Sequence, residues 1–201
     1  LAIEHHLLVL SDEAYEHLVF APNRHVPIAT LPGMAARTVT VGSGGKTFSF
    51  TGWKVGWASG PADLIAAVRV VRQHLSYVSG GPFQPAIAAG LRLPDSYFES
   101  FVDGLRSKRD HLCAGLAGLG FDVLATEGTY FVSTDLRSLG ITDGEAFCRE
   151  LPHEAGVVAI PIAKLADDHA AFAPFVRWTF CKQPAVLDEA LQRLAGHLPT
   201  G

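Results

Sequence analysis

The chain has 201 residues, 48% of them hydrophobic and 18% charged, which excludes a disordered chain and leaves enough length to bury a proper core. Its 16 Lys and Arg against 20 Asp and Glu give a formal charge of −4, which argues against a nucleic-acid surface. The apolar runs are short and broken by Gly, Pro or charge, so none reads as a membrane span, and Cys113, Cys148 and Cys181 are too few and too scattered for a disulfide framework or zinc site, which favours a reducing compartment and hence the cytoplasm.

Leu1 to Leu10 lack the basic region and cleavage site of a signal peptide. The chain opens at Leu1 and runs at once into strand-like sequence, as if a longer protein had lost its N-terminal part. His6–Leu10 predicts a buried strand, and residues 21–34, with three prolines, a loop. Thr38–Val41 is β-branched and predicts a second strand, 42–56 a Gly- and aromatic-rich loop, and 55–59 a third strand. Pro61 opens a helix to about Val78, and a further helix covers 83–91. Phe101, Leu105, Leu112, Leu116 and Leu119 lie at helical spacing on one long amphipathic segment stopped by Gly120. A strand pair at 121–124 and 130–133, a helix over 143–154 capped by Thr142, strands at 157–160 and 175–180, and a last helix marked by Leu187, Leu191, Leu194 and Leu198 complete the series. The pattern is α/β, with residues 1–93 as part of one layered domain and 94–201 as a separate α+β domain.

The most informative stretch is Gly42-Ser43-Gly44-Gly45-Lys46-Thr47-Phe48. It contains Gly-Lys-Thr, but a phosphate-binding P-loop needs a Gly where Thr40 stands, and Phe48–Trp53 is poor helix sequence. The run Ser43–Trp57 instead resembles the lysine loop of class I/II aminotransferases, pyridoxal-phosphate enzymes of fold type I. Ser11-Asp12-Glu13-Ala14-Tyr15-Glu16-His17 resembles that family's pyridine-binding turn, and Phe175–Phe180 its carboxylate-binding strand. The three motifs occur in the family's order and the resemblance covers essentially the whole chain. Its texture is most similar to the kynurenine, methionine and N-succinyldiaminopimelate aminotransferase group.

The resemblance implies that the chain is the C-terminal portion of such an enzyme, 1–93 ending the large cofactor domain and 94–201 forming the small one. Lys46 would carry pyridoxal 5'-phosphate as a Schiff base and move the substrate α-proton. Asp12 would keep the pyridine nitrogen protonated, Tyr15 would hydrogen-bond the 3'-oxygen, and Ser43 and Lys54 would hold the phosphate. Many relatives carry Arg where Lys54 stands, and Ser or Ala where Gly44 and Gly45 stand. Arg177 would fork onto the substrate carboxylate. Glu13 reads as solvated or structural, and His5, His6, His17, His25 and His74 as ordinary rather than metal ligands. Residues 77–81 fall where relatives reach a neighbouring subunit's site, which implies a homodimer acting on an amino acid and a 2-oxo acid. A β-lyase on sulfur amino acids would use the same lysine, and a non-catalytic or P-loop-like nucleotide-binding fragment would use only the glycine loop. The implied family domain begins well upstream of Asp12, so the 201 residues alone are expected neither to hold the cofactor tightly nor to transaminate.

Overall fold

The protein is described by a computed structural model covering residues 1–78 and 80–198. It divides into two compact units, Leu1–Ser100 and Phe101–Gly201.

The first unit is built on β2 (Thr38–Ser43), whose β-branched start sits between two partners. β1 (Val9–Asp12) pairs with it in parallel, aligning Asp12 with Val41, and β3 (Gly56–Ser59) pairs antiparallel, aligning Ser43 with Gly56. Both cross-strand partners therefore bring their ends to the C-terminal end of β2, where ligand sites of α/β sheets gather. Thr38 is fully buried, its hydroxyl donating to the Met34 carbonyl at 2.8 Å.

The strand expected at His6–Leu10 lies further along the chain. Residues 1–7 form turns closed by His5 N–H to the Leu1 carbonyl and Leu7 N–H to the Ala2 carbonyl, both at 2.8 Å. The strand is also not buried: Leu8 is 67% and Leu10 73% exposed. An apolar run signals two-sided burial, but among the described residues β1 has a partner on one edge only.

Residues 42–56, expected as loop, contain a single helical turn, α1 (Gly44–Thr47), and a 3-10 turn over Thr51–Trp53. α1 ends after one turn, unlike the long helix a P-loop lysine opens. α2 (Ala62–Leu75) starts just after Pro61, which is its N-cap rather than its first helical residue, and stops before Tyr77 enters the left-handed region at φ 52°. α3 spans Gln84–Gly90. The start of α4 (Asp95–Gly118) packs on this unit: Phe98 stacks on His17 with ring centroids 4.6 Å apart and lies 6.1 Å from Phe48.

The second unit holds an antiparallel sheet in the order β4 (Asp122–Val123), β5 (Phe131–Asp135), β7 (Phe175–Thr179), β6 (Ile160–Pro161). α5 (Gly144–Glu154) and α6 (Pro184–His197) complete it. Alternate residues Val176 and Trp178 are buried with Val132, Leu112, Leu116 and Leu194, and the Trp178 indole N–H donates to Thr134 Oγ1 at 2.9 Å. α4 and α6 approach so closely that a Cβ on Gly115 would lie 2.3 Å from Leu191 Cδ1. The N-cap of α5 is Asp143, not Thr142: its carboxylate accepts from Ala146 N–H at 2.9 Å, one residue later than expected. β6 is shorter than the 157–160 run, because only Ile160 and Pro161 join the ladder to β7 while Val157 and Ala159 bury their side chains outside it.

Candidate active site

The ends of β1, β2 and β3 and the loop between β2 and β3 enclose an open cleft of about 440 Å³. Asp12, Ser43, Lys46 and Lys54 all line it, with Thr51, Gly42 and Gly45. The four belong to two motifs about thirty residues apart, and the parallel register of β1 on β2 is what brings them together. Tyr15 joins them through Lys46, whose Nζ lies 5.9 Å from the centre of its ring.

Each side chain has a local cause for its place. Asp12 ends β1 and its Oδ1 accepts from Ala14 N–H at 3.1 Å, so it is a turn-former as well as a cleft residue. Ser43 ends β2 and Lys46 stands on the single turn that follows. Lys54 adopts a left-handed conformation at φ 53°, unusual outside glycine, and such backbone strain concentrates at functional positions. The loop carrying both lysines is stiffened by an aromatic stack in which Trp53 lies 4.6 Å from Phe50 and 4.6 Å from Phe83.

The glycines have packing reasons. A Cβ on Gly42 would lie 2.4 Å from the Trp57 indole, on Gly44 2.7 Å from Ile87 Cδ1, and on Gly45 3.0 Å from Thr51 Cα. Ser or Ala at 44 or 45 would therefore need neighbours to shift.

Of the two readings of Glu13, solvated or structural, the structural one holds: it is buried, its Oε1 accepts from Ser11 Oγ at 2.9 Å and Ile28 N–H at 3.3 Å, and its Oε2 lies 3.0 Å from His25 Nε2. Burial alone would raise this carboxyl, but the bonds from His25, Ser11 and Ile28 and the His25 charge outweigh it and hold the pKa below the ordinary value. His25, read as ordinary, is thus tied to the residue beside Asp12; no local spacing signals a pairing across twelve residues.

Arg177 lies in the second unit, on β7, half-buried. Its guanidinium stands 4.1 Å from the centre of the Phe131 ring, and its buried Nε has no hydrogen-bond partner among the described residues. The salt bridge that a strand arginine would otherwise require is therefore not what holds it. It borders a more apolar cavity of about 460 Å³ between β6, β7 and α6, whose other charged lining residues are Lys182, Glu189 and Arg193. The first cleft instead brings Lys46 together with Asp12, Ser43 and Lys54 at the strand ends, so the chemistry points there. In the 77–81 stretch, Ser79 lies outside the described residues; Gly80 is left-handed at φ 60°. The described residues hold no group of three or more His, Cys, Asp or Glu able to bind a metal.

A lysine, a carboxylate, a hydroxyl and a second lysine thus meet at the strand ends of an α/β sheet, and the profile described as Aminotransferase class I and II matches residues 1–194. The chain belongs to that family, whose members are pyridoxal-phosphate-dependent and of fold type I. A Mycobacterium tuberculosis protein named "Probable N-succinyldiaminopimelate aminotransferase" is 48% identical over 203 residues, covering 97% of this chain and 51% of the relative. Mouse kynurenine–oxoglutarate transaminase 3 is 38% identical, with 94% and 46% covered. The solved structure of the Mycobacterium tuberculosis N-succinyldiaminopimelate aminotransferase superposes with a TM-score of 0.93 at 49% identity, covering 97% of this chain and 51% of that one. The chain spans about half the length of the relatives it matches.

Proposed function

We propose that the intact protein catalyses pyridoxal-phosphate-dependent amino-group transfer between an amino acid and a 2-oxo acid. The observation that carries the reading is the convergence of Asp12, Ser43, Lys46 and Lys54 on one cleft in a chain of this family. The donor set fits the cofactor: a carboxylate for a protonated ring nitrogen, an amine for an aldehyde carbon, and a hydroxyl and a cation for a phosphate. When bound, the cofactor supplies an electron sink for charge developing at the substrate α-carbon.

In this reading the Lys46 amine would hold the cofactor's aldehyde carbon and would serve as the base that takes and returns the substrate α-proton. The Asp12 carboxylate keeps the ring nitrogen protonated. The Tyr15 hydroxyl donates to the 3'-oxygen, Ser43 and Lys54 anchor the phosphate, and Arg177 takes the substrate carboxylate with its planar fork. Residues 1–93 would end the large cofactor domain and 94–201 form the small domain, a reading supported by the two separate sheets. A homodimer is supported by the uncovered apolar residues of β1 and α2, and a cytoplasmic setting by three free cysteines. The relative named for N-succinyldiaminopimelate makes that amino acid the first donor to assay.

The test uses the intact protein. Its visible absorption should change on adding amino acid and return on adding 2-oxo acid. Borohydride should fix the cofactor covalently to the peptide containing Lys46. Lys46→Ala should lose that adduct and about 10²–10⁴-fold or more in turnover. An adduct retained in the variant, or no visible absorption in the parent, overturns the reading.

A further inference from the structure

The pair formed by buried Glu13 and half-buried His25 has no part in the chemistry above, yet Glu13 follows the cleft residue Asp12 directly in the chain. Residues alternate across a strand, so Ser11 and Glu13 share one side and Asp12 takes the other. Ser11 Oγ donates to Glu13 Oε1 at 2.9 Å, closing a bond that spans Asp12 in the chain. Glu13 is then anchored from two other segments: its N–H donates to the Val41 carbonyl at 2.8 Å, and its carboxylate meets His25 Nε2 and Ile28 N–H. Val41 is the residue that pairs with Asp12 in the ladder and lines the cleft. Asp12 itself is exposed, and among the described residues its one side-chain hydrogen bond is the 3.1 Å turn from Ala14 N–H. Its direction is thus set by its neighbours' anchoring more than by contacts of its own carboxylate.

We propose that Glu13 and His25 are positioning residues that orient the Asp12 carboxylate toward the ligand in the cleft. The pair locks the backbone on the C-terminal side of Asp12 as the parallel ladder locks it on the N-terminal side. The groups facing the Glu13 carboxylate are Ser11 from its own turn and His25 and the Ile28 N–H from the 25–28 segment. Of the pair, the His25 side chain is 29% exposed against 3% for Glu13. The inference rests on the reading of Asp12 as the partner of the cofactor's ring nitrogen. Outer partners that orient a ligating group contribute about 10–100-fold in affinity at metal sites, and the same geometric reasoning applies to a carboxylate that must meet one ring atom.

The experiment is a double-mutant cycle on the intact apoprotein, read as pyridoxal-phosphate affinity by fluorescence titration, with apoprotein melting measured in parallel. Glu13→Gln should weaken cofactor affinity about tenfold in the parent background and less than about twofold in an Asp12→Asn background. His25→Gln, at the more exposed end of the pair, leaves Glu13 in place and should show the same dependence on Asp12 with a smaller loss; it also serves if Glu13→Gln fails to fold. Equal losses in both backgrounds, or no loss in the parent background, overturn the positioning role while leaving Asp12 in its own. An Asp12→Asn protein with unchanged affinity instead removes the reading of Asp12, and the positioning role with it.

Discussion

At the residue scale, the two charged groups that stand out are held by unlike means. Arg177 rests on the Phe131 ring with its Nε unpartnered, so its hydrogen-bonding capacity is not spent within the second unit's described residues. Arg177→Ala should raise KM about tenfold or more for amino acid and 2-oxo acid alike, since a charge-assisted contact contributes about 1.5–3 kcal/mol and both substrates carry the carboxylate. Arg177→Lys should recover only part of this, because a point charge cannot form the two-pronged contact. Steady-state kinetics with each substrate varied in turn is the check, and an effect confined to one substrate would assign Arg177 to a side chain. Glu13 carries the opposite logic. Its folded pKa lies below the ordinary 4.5, so its contribution to stability is present above that value and fades as pH falls through the lower folded value. Glu13→Gln should therefore cost roughly 1–3 kcal/mol near neutral pH, with the gap to the parent closing below about pH 4.5. Thermal melts across pH measure this; a gap that persists in acid would mean that hydrogen-bond geometry alone is at stake.

At the element scale, the cleft depends on how closely β3 lies against β2. Gly42 pairs with Trp57 in the ladder, and its missing Cβ is the space the indole occupies. Gly42→Ala should destabilise the protein by about 1–3 kcal/mol and weaken cofactor binding, because a rigid ring 2.4 Å away must move and β3 with it. Gly115→Ala brings a nominally closer clash, 2.3 Å from Leu191 Cδ1, yet the obstacle is the end of a flexible side chain, so it should cost less and leave cofactor affinity unchanged. Melting temperatures of the two variants compared with their cofactor affinities test the distinction. The lysine motif itself was legible in the sequence. That it folds into one turn of helix, with Lys54 left-handed eight residues on, was not, because aromatic stacking of Trp53 on Phe50 and Phe83 rather than helix propensity shapes that loop.

At the scale of the whole molecule, the exposed apolar surface is concentrated in the first unit. Leu8 and Leu10 on and beside β1 are 67% and 73% exposed, and Val70, Val71 and Leu75 of α2 are 61%, 56% and 82% exposed. No residue of α2 is buried. An unpaired strand edge beside such surface is a template for association. The 201-residue chain prepared by itself should therefore self-associate and bind pyridoxal phosphate weakly. Light scattering and cofactor titration are the measurements, and Leu10→Lys should reduce the association. A monomeric, tightly cofactor-loaded 201-residue product would contradict both expectations.

What the sequence determined by itself is local or chemical: the β-branched strand at 38, the long amphipathic helix after 95, the helix at the C-terminal end, and the residue types a lysine-held cofactor requires. Those signals survive because periodicity, propensity and donor chemistry are carried by neighbouring residues. Tertiary structure alone decided the rest. Parallel pairing of β1 with β2 put Asp12 in the same cleft as Ser43, Lys46 and Lys54, and one-sided pairing made an apolar strand an exposed edge. Chain folding across twelve residues buried Glu13 against His25. Each is a contact between segments, and no window of the sequence contains both sides of it.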